Sequence, residues 1–297
     1  MASDLEMTHT NLDSFLEDIK AIEVPDSFES LSYNDYMHFS VELSKEAGQL
    51  IGAAASIVPS KSVWERDAAI VIGHLVRLFK LISAQIDQTC KGRQEIGWIF
   101  SRPIFETIVN TKYLLKNPDA FDNYVIYSLQ NDKELKNLID RKISERNGEM
   151  LPIETRMLRS IENCMKKSGI DWESIPDKRL HSWGEKNIYE RTKAVGLEEM
   201  YIAFIGGSSH GIHGNWLDLL TYHLIPEKDS FKPNMSWSSP SPILLLSTSI
   251  LSSQLIQDFL DFIGVEKSHA LYARSKSVYE KTIRVNNAHE LYLQKKV

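Results

Sequence analysis

Two short stretches concentrate the residues able to do chemistry. The first is Arg102-Pro103-Ile104-Phe105-Glu106, where a cation and a carboxylate stand four residues apart. On a helix that spacing puts both on one face. An exposed pair there contributes only about 0.3–0.5 kcal/mol. Ile99, Phe100, Ile104, Phe105 and Ile108 crowd this one with bulky apolar groups, so a buried, partnered pair is expected. The second stretch, Phe204 to Trp216, holds four glycines, two serines, two histidines and Asn215. Small residues let backbones approach closely, while Ser, His and Asn bring donors and acceptors into that space. It reads as the floor of a polar pocket.

Ser209 and His213 are four apart, with His210 in the same turn, which on paper is a nucleophile beside its base. The strand–turn context of a nucleophile elbow is missing. A simpler role for Ser208 or Ser209 is N-cap of a helix over 210–224, with Gly206-Gly207 breaking what precedes. His210 and His213 supply two metal ligands at most, and Leu217 sits where a third would fall. No metal and no cofactor is therefore expected, and no phosphate-cradling glycine loop or dinucleotide fingerprint appears. Trp98, Trp183 and Trp216 read as anchors rather than stacking platforms.

These residues need helices to position them. Ser32 is a good N-cap for an amphipathic helix that ends before Pro59, and Lys61–Cys90 continues the pattern. Gln94–Lys116 is helical around Pro103, which predicts either a kink or a new helix starting there. Helices follow over 119–146, closed by Asn147-Gly148, and over 152–167, closed by Gly169. Shorter ones cover 187–195 and 197–205, and 226–242 is a Pro/Ser-rich loop. An apolar helix over 243–263 and a long one over 265–296 complete the chain. No alternating run suggests a strand. The expected fold is all-α, a multi-helix bundle with a kinked central helix. Residues 1–30 form an acidic, partly disordered segment and 31–297 a single helical domain.

Composition narrows the function classes. Apolar residues make up 42% and charged residues 25%, ordinary for a globular protein. A net charge of -6 argues against non-specific coating of nucleic acid. The charge is uneven: residues 1–30 carry eight acids against Lys20, and from Gly264 onward seven Lys/Arg face three glutamates. Two faces that attract each other are the plain reading, and a basic final helix that meets RNA or a partner is the other. Cys90 and Cys164 are too far apart in sequence to suggest a framework, which suits a reducing compartment. The apolar run Ile243–Ile256 contains five serines and threonines and is too short and polar for a membrane span. A cytoplasmic protein without membrane contact is expected.

Several segments occur together in order: Arg102 to Glu106, Tyr113-Leu114-Leu115, Trp183-Gly184, Tyr189 to Gly196, Tyr201, and Ser209 to Gly214. In this order they resemble a bacterial family of uncharacterised proteins, DUF5677, over roughly residues 40–225. The resemblance implies that Arg102, Glu106, Arg191, Ser209 and His213 cluster, and it brings no catalytic activity with it. Some members are thought to lie near phage-defence or stress genes. The doubled glycine 206–207 departs from the bulkier residues common there.

Three functional readings follow. The first is a helical module that binds a protein partner or a small ligand through the polar pocket. The second is a metal-independent effector that binds or cleaves RNA. There His213 (or His289, which follows Arg284 at the Arg-x4-His spacing of helical-type ribonucleases) is the base, and Arg102 or Arg191, oriented by Glu106, stabilises a pentacovalent phosphate. The third is a purely structural polar network. Catalytic candidates are His213, Arg102 and Glu106; binding candidates are Arg191, Ser209, His210, Asn215 and Trp183. Oligomerisation is left open.

Overall fold

Apolar residues recurring every three to four positions fold almost the whole chain into helices. The computed structural model describes residues 16–56 and 65–296. The helices are α1 (Tyr33–Ser56), α2 (Arg66–Cys90), α3 (Gln94–Lys116), α4 (Phe121–Glu145), α5 (Pro152–Ser168), α6 (Ile188–Ala194), α7 (Glu198–Tyr201), α8 (Gly207–His213), α9 (Trp216–Asp218), α10 (Pro242–Phe262) and α11 (Ala270–Gln294). The fold is all-α, a multi-helix architecture. Its residues form two compact units, one of 1–115 with 195–297, the other of 116–194.

In the first unit α10 packs against α1 and α11, and α1 against α2. Leu43, Leu50, Leu75, Leu78, Leu255, Phe259, Val278 and Val285 fill the core. A polar seam crosses it: the hydroxyls of Ser44 and Ser249 lie 2.7 Å apart, and Thr248 donates to Gln85 at 3.2 Å. Small hydroxyl side chains let α1 and α10 approach while satisfying each other. At the start of α1, Ser32 caps as the sequence predicts, and Asp35 answers it: the Asp35 amide donates to the Ser32 hydroxyl at 3.4 Å and the Ser32 amide to the Asp35 carboxylate at 2.7 Å.

The acidic N-terminal segment, from residue 16, lies along α11. Arg274 donates to the carbonyls of Leu16 (3.4 Å) and Ile19 (2.8 Å), Lys281 to that of Ile22 (2.9 Å), and Arg284 to that of Pro25 (2.9 Å). Leu16 and Ile19 are buried. The expected acidic segment 1–30 is thus described from residue 16 on; residues 1–15 lie outside the described ones.

Helix α3 runs unbroken through Pro103, so no second helix starts there. Gly206-Gly207 does not break the chain either. Both glycines have helical dihedrals, and a π turn over Ile202–Gly206 joins α7 to α8. Glycine in a helix costs about 1 kcal/mol relative to alanine but does not forbid it. Phe204, stacked on Phe105 with centroids 4.9 Å apart, helps offset that. The break comes instead at Gly214, whose left-handed φ of 56° ends α8. A second π turn, Leu219–His223, follows α9.

The expected loop at 226–242 carries a short hairpin at its start. Leu224–Pro226 and Phe231–Pro233 pair antiparallel, with Ile225 opposite Lys232. Three-residue strands are too short to show alternation in sequence.

Helix α10 extends the apolar run to Phe262, and by length and composition it and α2 could each cross a bilayer; 67% of the apolar window of α10 is buried inside the protein.

In the second unit the irregular segment between α5 and α6 is held from below. Gln130 donates to the carbonyls of Pro176 and Lys178 and accepts from the Leu180 amide. Lys133 donates to the carbonyls of Trp172 and Ile175.

Candidate functional site

Arg102 and Glu106 share one face of α3, as their spacing requires. Arg102 Nε donates to Glu106 Oε1 at 2.8 Å, and Nη1 donates to Ser209 Oγ at 3.1 Å. The two side chains are 29% and 36% exposed, so the pair sits at the surface rather than in the core. Ile104, Phe105 and Ile108 are buried and hold the helix, while Arg102 and Glu106 look outward. Neither hydrogen bond uses Arg102 Nη2.

Ser209 is committed twice. Its hydroxyl donates to the Ile205 carbonyl at 2.5 Å and accepts from Arg102. Ser208 likewise donates to the Phe204 carbonyl. Neither caps a helix, because both lie inside a continuous one. The residue that caps is Asn215, whose Oδ1 accepts from the Asp218 amide at 3.2 Å. Its side-chain nitrogen also lies 2.6 Å from His210 Nδ1. His213 is exposed at the end of α8 and makes no hydrogen bond to Arg102, Glu106 or Ser209. A serine nucleophile needs its proton directed at a base; here it points at the backbone.

Sequence reading missed two buried carboxylates, one on α3 and one on α9. Glu95, in the first turn of α3, accepts from the Ser238 amide at 3.0 Å. Asp218 is buried, with Oδ2 3.4 Å from His223 Nε2. The Tyr222 hydroxyl is pushed above its ordinary pKa by burial, and by the charges of Glu95 and Asp218. Glu95 and Asp218 are 123 positions apart in the chain (218 less 95), so no local spacing could reveal them.

Arg191 and Trp183 belong to the second unit. The Arg191 guanidinium lies 4.3 Å from the Trp183 ring and donates to the carbonyls of Trp183 and Lys186. Both residues are buried, and together they fasten the segment before α6. The same unit has an open cavity of about 660 Å³, lined by Asn123, Ile126, Ser174, Leu180, His181 and Ser182 among others.

The Arg284/His289 spacing does not make a site. Arg284 is spent on the Pro25 carbonyl and on Asp26, 3.5 Å away. His289 is fully buried beside Tyr33, Tyr36 and Tyr292, and burial lowers its pKa. Among the described residues no three His, Cys, Asp or Glu side chains meet in a way that could hold a metal ion.

No curated protein and no solved structure matches this chain. A family model does match, over residues 68–231, from the start of α2 to the hairpin, and its span includes Arg102, Glu106, Ser209, His213, Glu95 and Asp218. The chain belongs to the family of unknown function DUF5677.

Proposed function

We propose that the protein is a non-catalytic binding module in which Arg102 recognises an acidic group, a carboxylate or phosphate, on its partner. The observation that carries this is the Arg102 geometry: Nε is held by Glu106 and Nη1 by Ser209 on a partly exposed side chain, and no hydrogen bond among the described residues uses Nη2. A guanidinium fixed on two sides loses little further freedom when it takes an anion.

A protein is favoured as the bearer of that group. Trp216, Leu217, Phe231, Met235 and Trp237 are exposed on the segment that follows Ser209, and the Trp216 and Phe231 rings meet edge to face, 5.4 Å apart, an apolar feature of the kind a protein partner covers. The RNA-cleaving alternative lacks support, because neither His213 nor His289 stands as a base beside Arg102. Three cations of the basic helix, Arg274, Lys281 and Arg284, are already bound to the chain's own N-terminal segment.

The test is calorimetry with acetate, succinate, inorganic phosphate and a glutamate-containing peptide. At least one probe should bind wild type, bind weakly to Arg102→Lys and fail with Arg102→Ala, while His213→Ala stays unchanged. Binding that survives in Arg102→Ala would sink the reading, as would RNA cleavage that depends on His213.

A further inference from the structure

Three aliphatic side chains stand exposed where α4 turns into α5: Met150 (47%), Leu151 (41%) and Ile153 (53%). Such turns are ordinarily polar, so an apolar run there calls for something to cover it. The turn is braced, which keeps the run on display. Asn147 and Gly148 take left-handed φ values of 56° and 90°, and the Gly148 amide donates to the Ile143 carbonyl at 2.9 Å. Arg146 Nη2 reaches both Glu154 oxygens, at 2.6 and 2.5 Å, and the Leu151 amide donates to Glu154 Oε2 at 2.9 Å. Glu154 is buried, so a clamp inside the turn fixes its path while the three aliphatic side chains stay outside.

Charge around the turn favours one sign. Between residues 140 and 159, Asp140 is held by Lys136, Glu145 by Lys142 and Glu154 by Arg146. That leaves Arg141, Arg156 and Arg159, all exposed and in no ion pair among the described residues, against Glu149 alone. Arg156 and Arg159 fall in the first two turns of α5, within about 11 Å of its start, and Arg141 lies near the end of α4. In a chain of net charge -6, this end is locally basic. A nucleic acid would use the arginines and leave the aliphatic side chains in water. A protein interface is usually centred on aromatic anchors, and none stands here. A bilayer surface takes both features at once: aliphatic side chains enter the acyl boundary while arginines stay at the headgroups. Screening over about 8 Å keeps the arginines effective there and mutes the distant acids of the chain.

We propose that the turn between α4 and α5 docks on an anionic lipid surface, with Met150, Leu151 and Ile153 in the acyl boundary and Arg141, Arg156 and Arg159 against the headgroups. This is a surface contact and requires no membrane-spanning helix. It lies within the second unit, goes beyond the reading of Arg102 and is tested without it.

The experiment sediments the full chain with phosphatidylcholine vesicles and with vesicles that also contain phosphatidylserine. Binding to the second kind should be tighter by about tenfold or more, and should weaken as salt is raised. Met150→Ser combined with Ile153→Ser should weaken it about tenfold. Arg156→Ala and Arg159→Ala should each weaken it about fivefold. All these positions are exposed, so urea midpoints should match wild type and show that the fold is intact. Arg156→Lys combined with Arg159→Lys should bind as wild type does, because a lipid surface reads charge rather than the guanidinium fork. Arg102→Ala should also bind vesicles as wild type does, so failure of the acid-recognition reading leaves this result standing. The proposal is overturned if phosphatidylserine confers no binding, or if the double serine variant binds unchanged, which would mean charge alone. It is overturned too if the lysine pair loses binding as the alanines do, which would point to carboxylates on a protein partner.

Discussion

Arg274 on α11 and Glu46 on α1 are joined by two hydrogen bonds, Nε and Nη2 both reaching Oε1, at 3.2 and 2.8 Å. The Glu46 side chain is only 2% exposed, and its other oxygen accepts from the Ile22 amide at 3.1 Å. One carboxylate thus ties together α1, α11 and the N-terminal segment. Arg274→Ala leaves Glu46 buried and uncompensated, so a loss of about 3–5 kcal/mol is expected by urea denaturation. Limited proteolysis should also open residues 16–28 in that variant. A double change, Arg274→Met with Glu46→Leu, should recover much of the stability, and failure to recover any would mean the pair is not the cause.

His74 gives the protein an acid-sensitive core. It is buried on α2, 3.1 Å from the Thr111 hydroxyl, and burial, aided by the charge of Arg77, takes its pKa from the ordinary 6.5 to about 4. The folded state keeps this ring neutral where the unfolded chain would protonate it. Between pH 6.5 and about 4 the unfolded state therefore binds the extra proton, and stability falls as pH falls. The full contribution, about 3 kcal/mol, is present above pH 6.5 and lost progressively toward pH 4. Urea midpoints measured at pH 7 and pH 4.5 should converge less in wild type than in His74→Gln. An unchanged pH slope in the variant would assign the acid sensitivity to other groups.

His289 should be replaceable. Both its ring nitrogens are buried without hydrogen-bond partners, among three tyrosines. An unsatisfied buried polar atom costs about 1–3 kcal/mol. His289→Phe removes two of them at similar volume, so its melting temperature should equal or exceed that of wild type. A marked drop would show that the imidazole serves a purpose its surroundings do not reveal.

Asn215 tests the break between α8 and α9. Asn215→Ala removes the cap on the Asp218 amide and the contact with His210, with an expected loss of about 1 kcal/mol. Asn215→Ser keeps a capping oxygen and should recover most of it. Thermal melts of the two variants decide the matter, and equal losses would show that the His210 contact, not the cap, carries the effect.

Much of this was legible from local pattern. The helical spacing of Ile104, Phe105 and Ile108 located α3, and the interval from Arg102 to Glu106 placed their side chains in contact before any tertiary information. Asn147-Gly148 and Gly169 ended their helices through positive φ, which sequence can announce because few residues tolerate it. Gly206-Gly207 misled for the opposite reason: glycine permits a break without requiring one, and the Phe105–Phe204 stack decided the outcome. Glu95 and Asp218 were beyond reach because the burial of each depends on how elements distant in sequence pack. The charge asymmetry of the termini was visible, but not that the cations of α11 would bind the segment's backbone carbonyls as well as acidic side chains.

That last detail bears on how the N-terminal segment can change over time. The carbonyls held are those of Leu16, Ile19, Ile22 and Pro25, every third residue. A carbonyl is the same in every amino acid. Between the buried Leu16 and Ile19 and the start of α1, the side chains other than Asp26 and Phe28, which Arg284 also meets, can change so long as the path of the chain is kept. What selection can see here is the length of the segment: one inserted or deleted residue would move every later carbonyl off its cation, where a substitution leaves them all in place.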